Sequence, residues 1–517
     1  MNQNLYAILA AGFPADPDAP CLLLADGRCW SYGDLVHASA RIANLLVDLG
    51  LAPGDRVVAQ VEKSPEALLL YLACLRAGAV FVPLNPAYQR HELAHFIKDA
   101  APRLFVCRPQ LRPLLEQLLE PFAGARPLLL ELDDAGHGSL IAAAAAHGDA
   151  FATVARRAQD LACILYTSGT TGRSKGAMLS HGNLAANARV LHAYWRFQSG
   201  DVLLHALPIF HVHGLFIATH CALLNGSPML FEAKFAAHRV LQLLPRATVF
   251  MGVPTYYTRL LALPEFARAA CARMRLFISG SAPLAPETFA EFRRRSGHTI
   301  LERYGMSEGG MFTSNPYAGE RRAGSVGFPL PGTELRIVDA GGRAVATGAV
   351  GGIEVRGANV FAGYWRLPDK TAEDFRPGGW FKTGDLGKID AEGYVAIVGR
   401  SKDLIISGGL NIYPKEIEEV IDALPGVVES AVVGVPDADF GEAVTAVVVR
   451  EPTAAALDEA AVVAALAASL ARFKLPKRVV FAAELPRNAM GKVQKNLLRD
   501  ELTAAQQDRP RLKLSQP

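Results

Sequence analysis

The chain is predicted to be an α/β protein with a large N-terminal domain, residues 1–400, and a small α+β domain, residues 401–503. Three observations carry that prediction. Strand-like and helix-like segments alternate through the first part of the chain. Short strands punctuated by glycine follow between Leu335 and Val398. After Arg400-Ser-Lys-Asp403 a helix–strand–strand–helix run begins, about a hundred residues long, which is a common domain size. At 517 residues the chain is also too long for a single core.

The elements follow from local chemistry. Asp55 to Val61 reads as a strand. Pro65 to Ala77 reads as a helix, with Ser64 as its N-cap and Gly78 as its stop. Val80 to Pro83 returns to strand, which completes a βαβ unit. The alanine run Ala142 to Ala146 is expected on a surface helix. Leu161 to Leu165 is an apolar strand feeding a Gly-rich loop. Short strands are expected at Leu335–Val338, Gly352–Arg356 and Gly393–Val398. Beyond the boundary come a helix from Pro414 to Leu424, strands Val427–Val435 and Ala443–Arg450, and an Ala-rich helix from Leu457 to Leu470. Residues 504–517 are polar, with Pro510 and Pro517, and are expected to fray.

Bulk properties exclude several classes. Half the residues are hydrophobic, a fifth are charged and the net charge is +3, with no concentrated basic arm, so nucleic acid is not an expected partner. The longest apolar run, Ala67 to Leu75, is too short to span a bilayer. Asp16 and Asp18 precede any Arg or Lys, unlike a signal or transit peptide. The seven cysteines show no CxxC or metal spacing and read as reduced core thiols of a cytoplasmic protein.

The strongest motif is Tyr166-Thr-Ser-Gly-Thr-Thr-Gly-Arg-Ser-Lys-Gly176. Gly169, Gly172 and Gly176 allow close backbone approach to an anion. The hydroxyls of Thr167, Ser168, Thr170 and Thr171 can bind phosphate oxygens, and Arg173 and Lys175 can offset polyphosphate charge. Glycine rather than Ser or Thr follows Lys175, so the loop does not fit the P-loop pattern. The loop resembles the ATP-binding motif of the adenylate-forming superfamily, which holds acyl-CoA synthetases, peptide-synthetase adenylation domains and luciferases. Further motifs of that superfamily occur in order: Phe210-His-Val-His-Gly214, Tyr304-Gly-Met-Ser-Glu308, Lys382-Thr-Gly-Asp385, Gly399-Arg-Ser-Lys-Asp403 and Pro486-Arg-Asn-Ala-Met-Gly-Lys492. The resemblance covers nearly the whole chain.

The resemblance implies a large βα-sheet domain with a β-barrel-like subdomain and a small mobile C-terminal domain. It implies an acid–thiol ligase that uses ATP, Mg²⁺ and CoA and forms an acyl-adenylate. Glu308 and Thr167 are then the Mg²⁺ site, and Asp385 and Arg400 the ribose contacts. Ser281, Ala282, Glu302, Tyr304 and Ser307 complete the nucleotide site. Lys492 stabilises charge on the α-phosphate, and is a candidate for acetylation. Lys402 is the expected hinge, and Ser407, Gly408 and Gly409 line the expected CoA tunnel.

The acid itself is expected to be a small dicarboxylate. Arg259 and Arg303 both fall in the segments that the superfamily uses for the acyl group, and a buried Arg needs an anion. His211, Ser281 and Met306 belong to the same pocket, which His213 also flanks. The pattern resembles malonyl-CoA synthetases, with one departure. Gly309-Gly310 follows Glu308 where side-chain-bearing residues are usual, and these glycines are expected to widen the pocket enough for methylmalonate. A short- or medium-chain monocarboxylate–CoA ligase and a non-catalytic nucleotide-binding scaffold remain the alternatives. Intact Lys492, Glu308 and Asp385 argue against the scaffold.

Overall fold

The structure is a computed structural model and describes residues 2–122, 126–167, 174–407, 410–437, 440–454, 456–488 and 491–507. Contacts divide the chain into two units. One holds Met1–Leu335 with Val355–Phe381, and the other holds Arg336–Glu354 with Lys382–Pro517. The division at 381/382 falls before the boundary after residue 400 expected from the change in the pattern of strands and helices. In the second unit the segment Lys382–Ile389 pairs antiparallel with Val395–Arg400, in the register Asp385↔Arg400.

Two sheets lie wholly within the first unit, among the described residues. In the smaller, Leu128–Glu131, Leu104–Cys107, Arg56–Gln60, Val80–Pro83 and Leu161–Thr167 run parallel, and Lys175–Ser180 closes the edge antiparallel. The expected βαβ unit is present. Ser64 accepts from Ala67 N at the start of the helix Pro65–Ala77, and Gly78 at φ 74° ends it. That helix is buried along its whole length, and this explains its lack of a polar face.

The larger sheet has the order Phe328–Pro329, Gly310–Ser314, Leu301–Met306, Leu276–Ser279, Val249–Gly252, Leu203–His205, Met229–Phe231, Pro20–Leu23, Cys29–Ser31. Its centre is parallel. A core that includes Phe250, Phe277, Phe292 and Tyr257 covers one face. The carboxyl ends of Val249–Gly252, Leu276–Ser279 and Leu301–Met306 therefore open side by side, where ligands of open α/β sheets bind. One element here has no sequence signature: His213–Thr219 winds as a π-helix, entirely buried.

In the second unit Val427–Asp437 and Gly441–Arg450 form a long hairpin. Arg478–Ala482 adds parallel to it, and the helices Pro414–Asp422 and Glu459–Ser469 pack alongside. The expected elements are there, with ends shifted by one or two residues. A further helix, Lys495–Gln507, extends past Thr503, so the chain is still helical where fraying was expected to begin. Residues 508–517 lie outside the described residues. No helix among the described residues is long and apolar enough to cross a membrane. All seven cysteines are unpaired and six are buried, and Cys29, expected in a core, is exposed.

Candidate functional site

Ser168, Gly169, Thr170, Thr171, Gly172, Gly408 and Gly409 lie outside the described residues. Strand pairing and hydrogen bonds fix the roots of the first loop. Thr167 and Lys175 are paired across the sheet edge. Tyr166 donates its hydroxyl to Asp99 Oδ2 at 2.6 Å, and His95 Nε2 meets the Ser174 carbonyl at 3.0 Å, so the helix Arg90–Ala100 holds both roots. Beside the first root is Glu308, 5% exposed, whose Oε1 accepts from Thr167 Oγ1 at 3.5 Å and from the Tyr364 hydroxyl at 3.2 Å. Burial and Glu308 raise the Tyr364 phenol well above its ordinary range, so it stays a donor. Lys175 stands 4.5 Å over the Tyr364 ring centroid and 4.0 Å from Asp374 Oδ2. Tyr364 was not foreseen, since 56 residues separate it from Glu308 and no motif marks it.

Among the described residues no three His, Cys, Asp or Glu side chains converge as a metal cage. One buried carboxylate beside a hydroxyl is instead the donor set for Mg²⁺ that is shared with a nucleotide's phosphates. Thr167 and Glu308 fit that role.

The second cluster lies at the carboxyl ends of the parallel strands. Ser281 follows Leu276–Ser279 and takes φ 72°, a left-handed conformation that costs about 1–2 kcal/mol for a non-glycine residue and that clusters at functional sites. Arg303, only 3% exposed, lies flat on the Gly280 backbone, where a Cβ would stand 2.3 Å from its Cζ. Its Nε and Nη2 have no hydrogen-bond partner among the described residues. Burial pushes its pKa down to about 9, with Tyr257 and Glu302 pulling the other way. Glu302 does not pair with it: successive strand residues face opposite ways, and Glu302 Oε1 accepts from Leu284 N at 3.1 Å. Ser279 Oγ and His213 Nε2 are likewise buried without a partner among the described residues. His213 Nδ1 lies 3.4 Å from Ser281 Oγ, and burial and Arg303 hold its pKa well below the usual histidine range. His211 Nδ1 accepts from His213 N at 3.3 Å. The cluster thus gathers a cation and neutral polar groups, and Arg303 Nε and Nη2, Ser279 Oγ and His213 Nε2 have no partner among the described residues.

Ala282, Tyr304, Met306 and Ser307 are half-buried on the same segments. Arg259 does not join them. On the helix Pro254–Leu261 it is Tyr257 that points inward, giving its hydroxyl to Ile278 O at 2.6 Å. Arg259, two positions on, is turned by about 200° and is exposed. The expectation of a buried Arg259 is corrected.

The glycine pair also differs from expectation. A Cβ at Gly309 would stand 2.3 Å from the Phe312 ring, and one at Gly310 would stand 2.4 Å from Asn187 Oδ1. Gly310 is at φ 66°. Phe312 and Asn187 fill the space that the missing side chains leave, so the pair does not widen the acid pocket. Gly310→Ala should therefore lower stability by about 2–4 kcal/mol, from left-handed strain plus overpacking. Thermal denaturation reads this, and a wild-type melting profile would show that Asn187 can move aside.

In the second unit Asp385, 6% exposed, donates its backbone N–H to Thr383 Oγ1 at 3.1 Å and is 3.3 Å from Arg400 Nε. Lys492 N donates to Asn488 Oδ1 at 3.0 Å, and Gly491 at φ 72° turns the chain just before it. Burial and Arg400 push the Lys492 ammonium down to about 8, with Lys402 adding to the fall and Asp385 and Asp403 opposing it. Burial and Arg400 also lower Lys402, on the turn Ser401–Asp403. Ser407 ends the short strand Ile405–Ser407.

These parts suit an enzyme that handles a nucleotide and an acid. The chain belongs to the AMP-binding enzyme family, whose model matches residues 11–365, and the model of the family's C-terminal domain matches residues 416–492. It is 35% identical to the malonate–CoA ligase of Arabidopsis thaliana, over 92% of this chain and 85% of that protein. It is 36% identical to the sulfoacetate–CoA ligase of Cupriavidus necator, over 95% and 97%. The ATP-bound crystal structure of MatB from Rhodopseudomonas palustris superposes with a TM-score of 0.95, at 55% identity over 98% of this chain and all of that one.

Proposed function

We propose that the chain is an AMP-forming malonate–CoA ligase. It joins malonate and ATP into malonyl-adenylate and diphosphate, then passes the malonyl group to CoA and releases AMP. The single observation that carries the choice of acid is Arg303, a buried guanidinium with two nitrogens unpartnered among the described residues. A second carboxylate on the substrate would satisfy both in a bidentate pair, with His213 and Ser281 beside it. A monocarboxylate would leave that charge unpaired, at a cost of several kcal/mol. Relatives of similar identity act by name on malonate and sulfoacetate, each with a second acidic group, but also on ferulate and indoleacetate. Overall likeness therefore does not choose the acid, and the pocket must.

In the same reading Thr167, Glu308 and the loop 166–176 hold the triphosphate. Bound Mg²⁺ would neutralise charge on the phosphates. Asp385 and Arg400 take the ribose, Lys492 the α-phosphate, Lys402 is the hinge and Ser407 lines the thiol approach. The cytoplasm is the compartment that suits a chain of free thiols.

The test is diphosphate release with CoA and a panel of malonate, methylmalonate, sulfoacetate, acetate and octanoate. Malonate should have the highest kcat/KM. With Phe312 and Asn187 filling the space beside the glycine pair, methylmalonate should trail it. A higher value for acetate or octanoate would sink the dicarboxylate assignment.

A further inference from the structure

Lys63 is a buried amine that neither the nucleotide nor the acid assignment uses. It is 8% exposed and lies just before the helix Pro65–Ala77. Its Nζ donates to the His205 carbonyl at 2.8 Å, stands 2.9 Å from His205 Nδ1, and sits 4.2 Å over the Phe231 ring centroid. Burial pushes its ammonium well below the ordinary lysine range against the pull of Glu232, and that carboxylate is engaged by Arg239. Taking such a group out of water is costly, so its retention calls for a reason.

The tautomer of its partner shows where the interaction leads. Burial and Lys63 hold His205 neutral. His205 Nε2 lies 3.1 Å from the Gly214 carbonyl, which can only accept, so Nε2 carries the proton. Nδ1 is then bare and accepts from Lys63. The Thr219 hydroxyl donates to the same Gly214 carbonyl at 2.9 Å. Gly214 is the second residue of the π-helix His213–Thr219, whose wide winding strains the ordinary helical hydrogen-bond ladder. From the other side, a Cβ at Gly214 would stand 2.0 Å from Pro208 O, so this turn is pressed into place.

We infer that Lys63 and His205 are positioning residues for acid selection: through the Gly214 carbonyl they fix the first turn of the π-helix, and with it the His213 imidazole beside Arg303. This rests on the dicarboxylate assignment. It explains why a polar chain of Lys63, His205 and Thr219 crosses an apolar core and ends one residue from the acid cluster.

The test compares kcat/KM for malonate and acetate in Lys63→Met, which keeps the volume and removes the donor. The malonate-over-acetate ratio should fall about tenfold, through a higher KM for malonate, because a small misplacement of a binding group costs up to about a hundredfold. KM for ATP and the acetate constants should stay within about twofold. Equal losses for both acids, or an unchanged ratio, would overturn the inference. Should Lys63→Met fail to fold, Thr219→Val leaves Lys63 paired and loosens the same carbonyl. It should lower the ratio in the same direction, and an unchanged ratio in a natively melting Thr219→Val would overturn the inference equally. Wild-type protein with no preference for malonate would sink the dicarboxylate assignment itself, before Lys63 is touched.

Discussion

Lys492→Ala should lower malonate-dependent ATP–diphosphate exchange by about a hundred- to a thousandfold, the usual loss when one group that stabilises developing charge is removed. Transfer from supplied malonyl-adenylate to CoA should keep most of its rate, since that step breaks the acyl carbon–oxygen bond, with AMP leaving, and makes or breaks no bond to the α-phosphorus. Equal loss in both half-reactions would show that Lys492 serves the fold instead. The pKa adds an independent signature. In the proposed role Lys492 must be protonated, and in the free protein its ammonium is pushed down to about 8 by burial and Arg400. A lowered pKa on a cation means that charge is lost as pH rises. The adenylation kcat/KM, which reports the free enzyme, should therefore fall as pH climbs through about 8. The limb in kcat should lie higher, because bound phosphate favours the ammonium. Lys492→Arg, always charged, should lack the limb whatever its rate. Acetylation would act as the alanine change does, by removing the charge.

The parts of the candidate site that repeat a local pattern are legible in the sequence. Thr167, Glu308 and Asp385 each sit in a short motif, and a turn needs its residues close together in the chain. Arg303 was legible as a candidate because it adjoins Tyr304-Gly-Met-Ser-Glu308, and the sheet does bury it. Arg259 departs from expectation because a helix turns 100° per residue, and two positions decide between core and solvent. The glycine pair departs from expectation because an absent side chain says nothing about which neighbour fills the gap, here Phe312 and Asn187. Tyr364, and the chain from Lys63 to His205, join residues 56 and 142 positions apart. Only the fold brings such pairs together, and no spacing in one sequence encodes them. The π-helix was hidden for a different reason: His213 to Thr219 is buried on every side, so it carries no amphipathic period to read.

Arg303→Met should abolish the dicarboxylate preference and at the same time stabilise the protein. Both halves follow from one fact. In the ligand-free chain the guanidinium is buried, its Nε and Nη2 are unpartnered among the described residues, and its pKa is depressed to about 9. A cation whose pKa falls on folding opposes folding at every pH below that value, because the unfolded chain solvates the charge better. Replacing it with an apolar side chain of similar length removes that cost, and gains of about 1–4 kcal/mol accompany comparable replacements of buried charge. The same cost is what a second carboxylate would relieve on binding. Losing a buried charge pair of this kind removes about 2–5 kcal/mol of affinity, or about 30- to several thousandfold in kcat/KM for malonate. Acetate, which leaves Arg303 unpaired in the wild type, should be used as well or better by the variant. Kinetics with the two acids and a thermal melt of the free protein read the three effects together. A variant that melts lower and loses both acids alike would mean that Arg303 serves the fold. A variant that melts higher and still prefers malonate would place the second carboxylate elsewhere. Only the crossed result, more stable and less selective, fits a charge that the protein keeps buried at its own expense so that a dicarboxylate can pair with it.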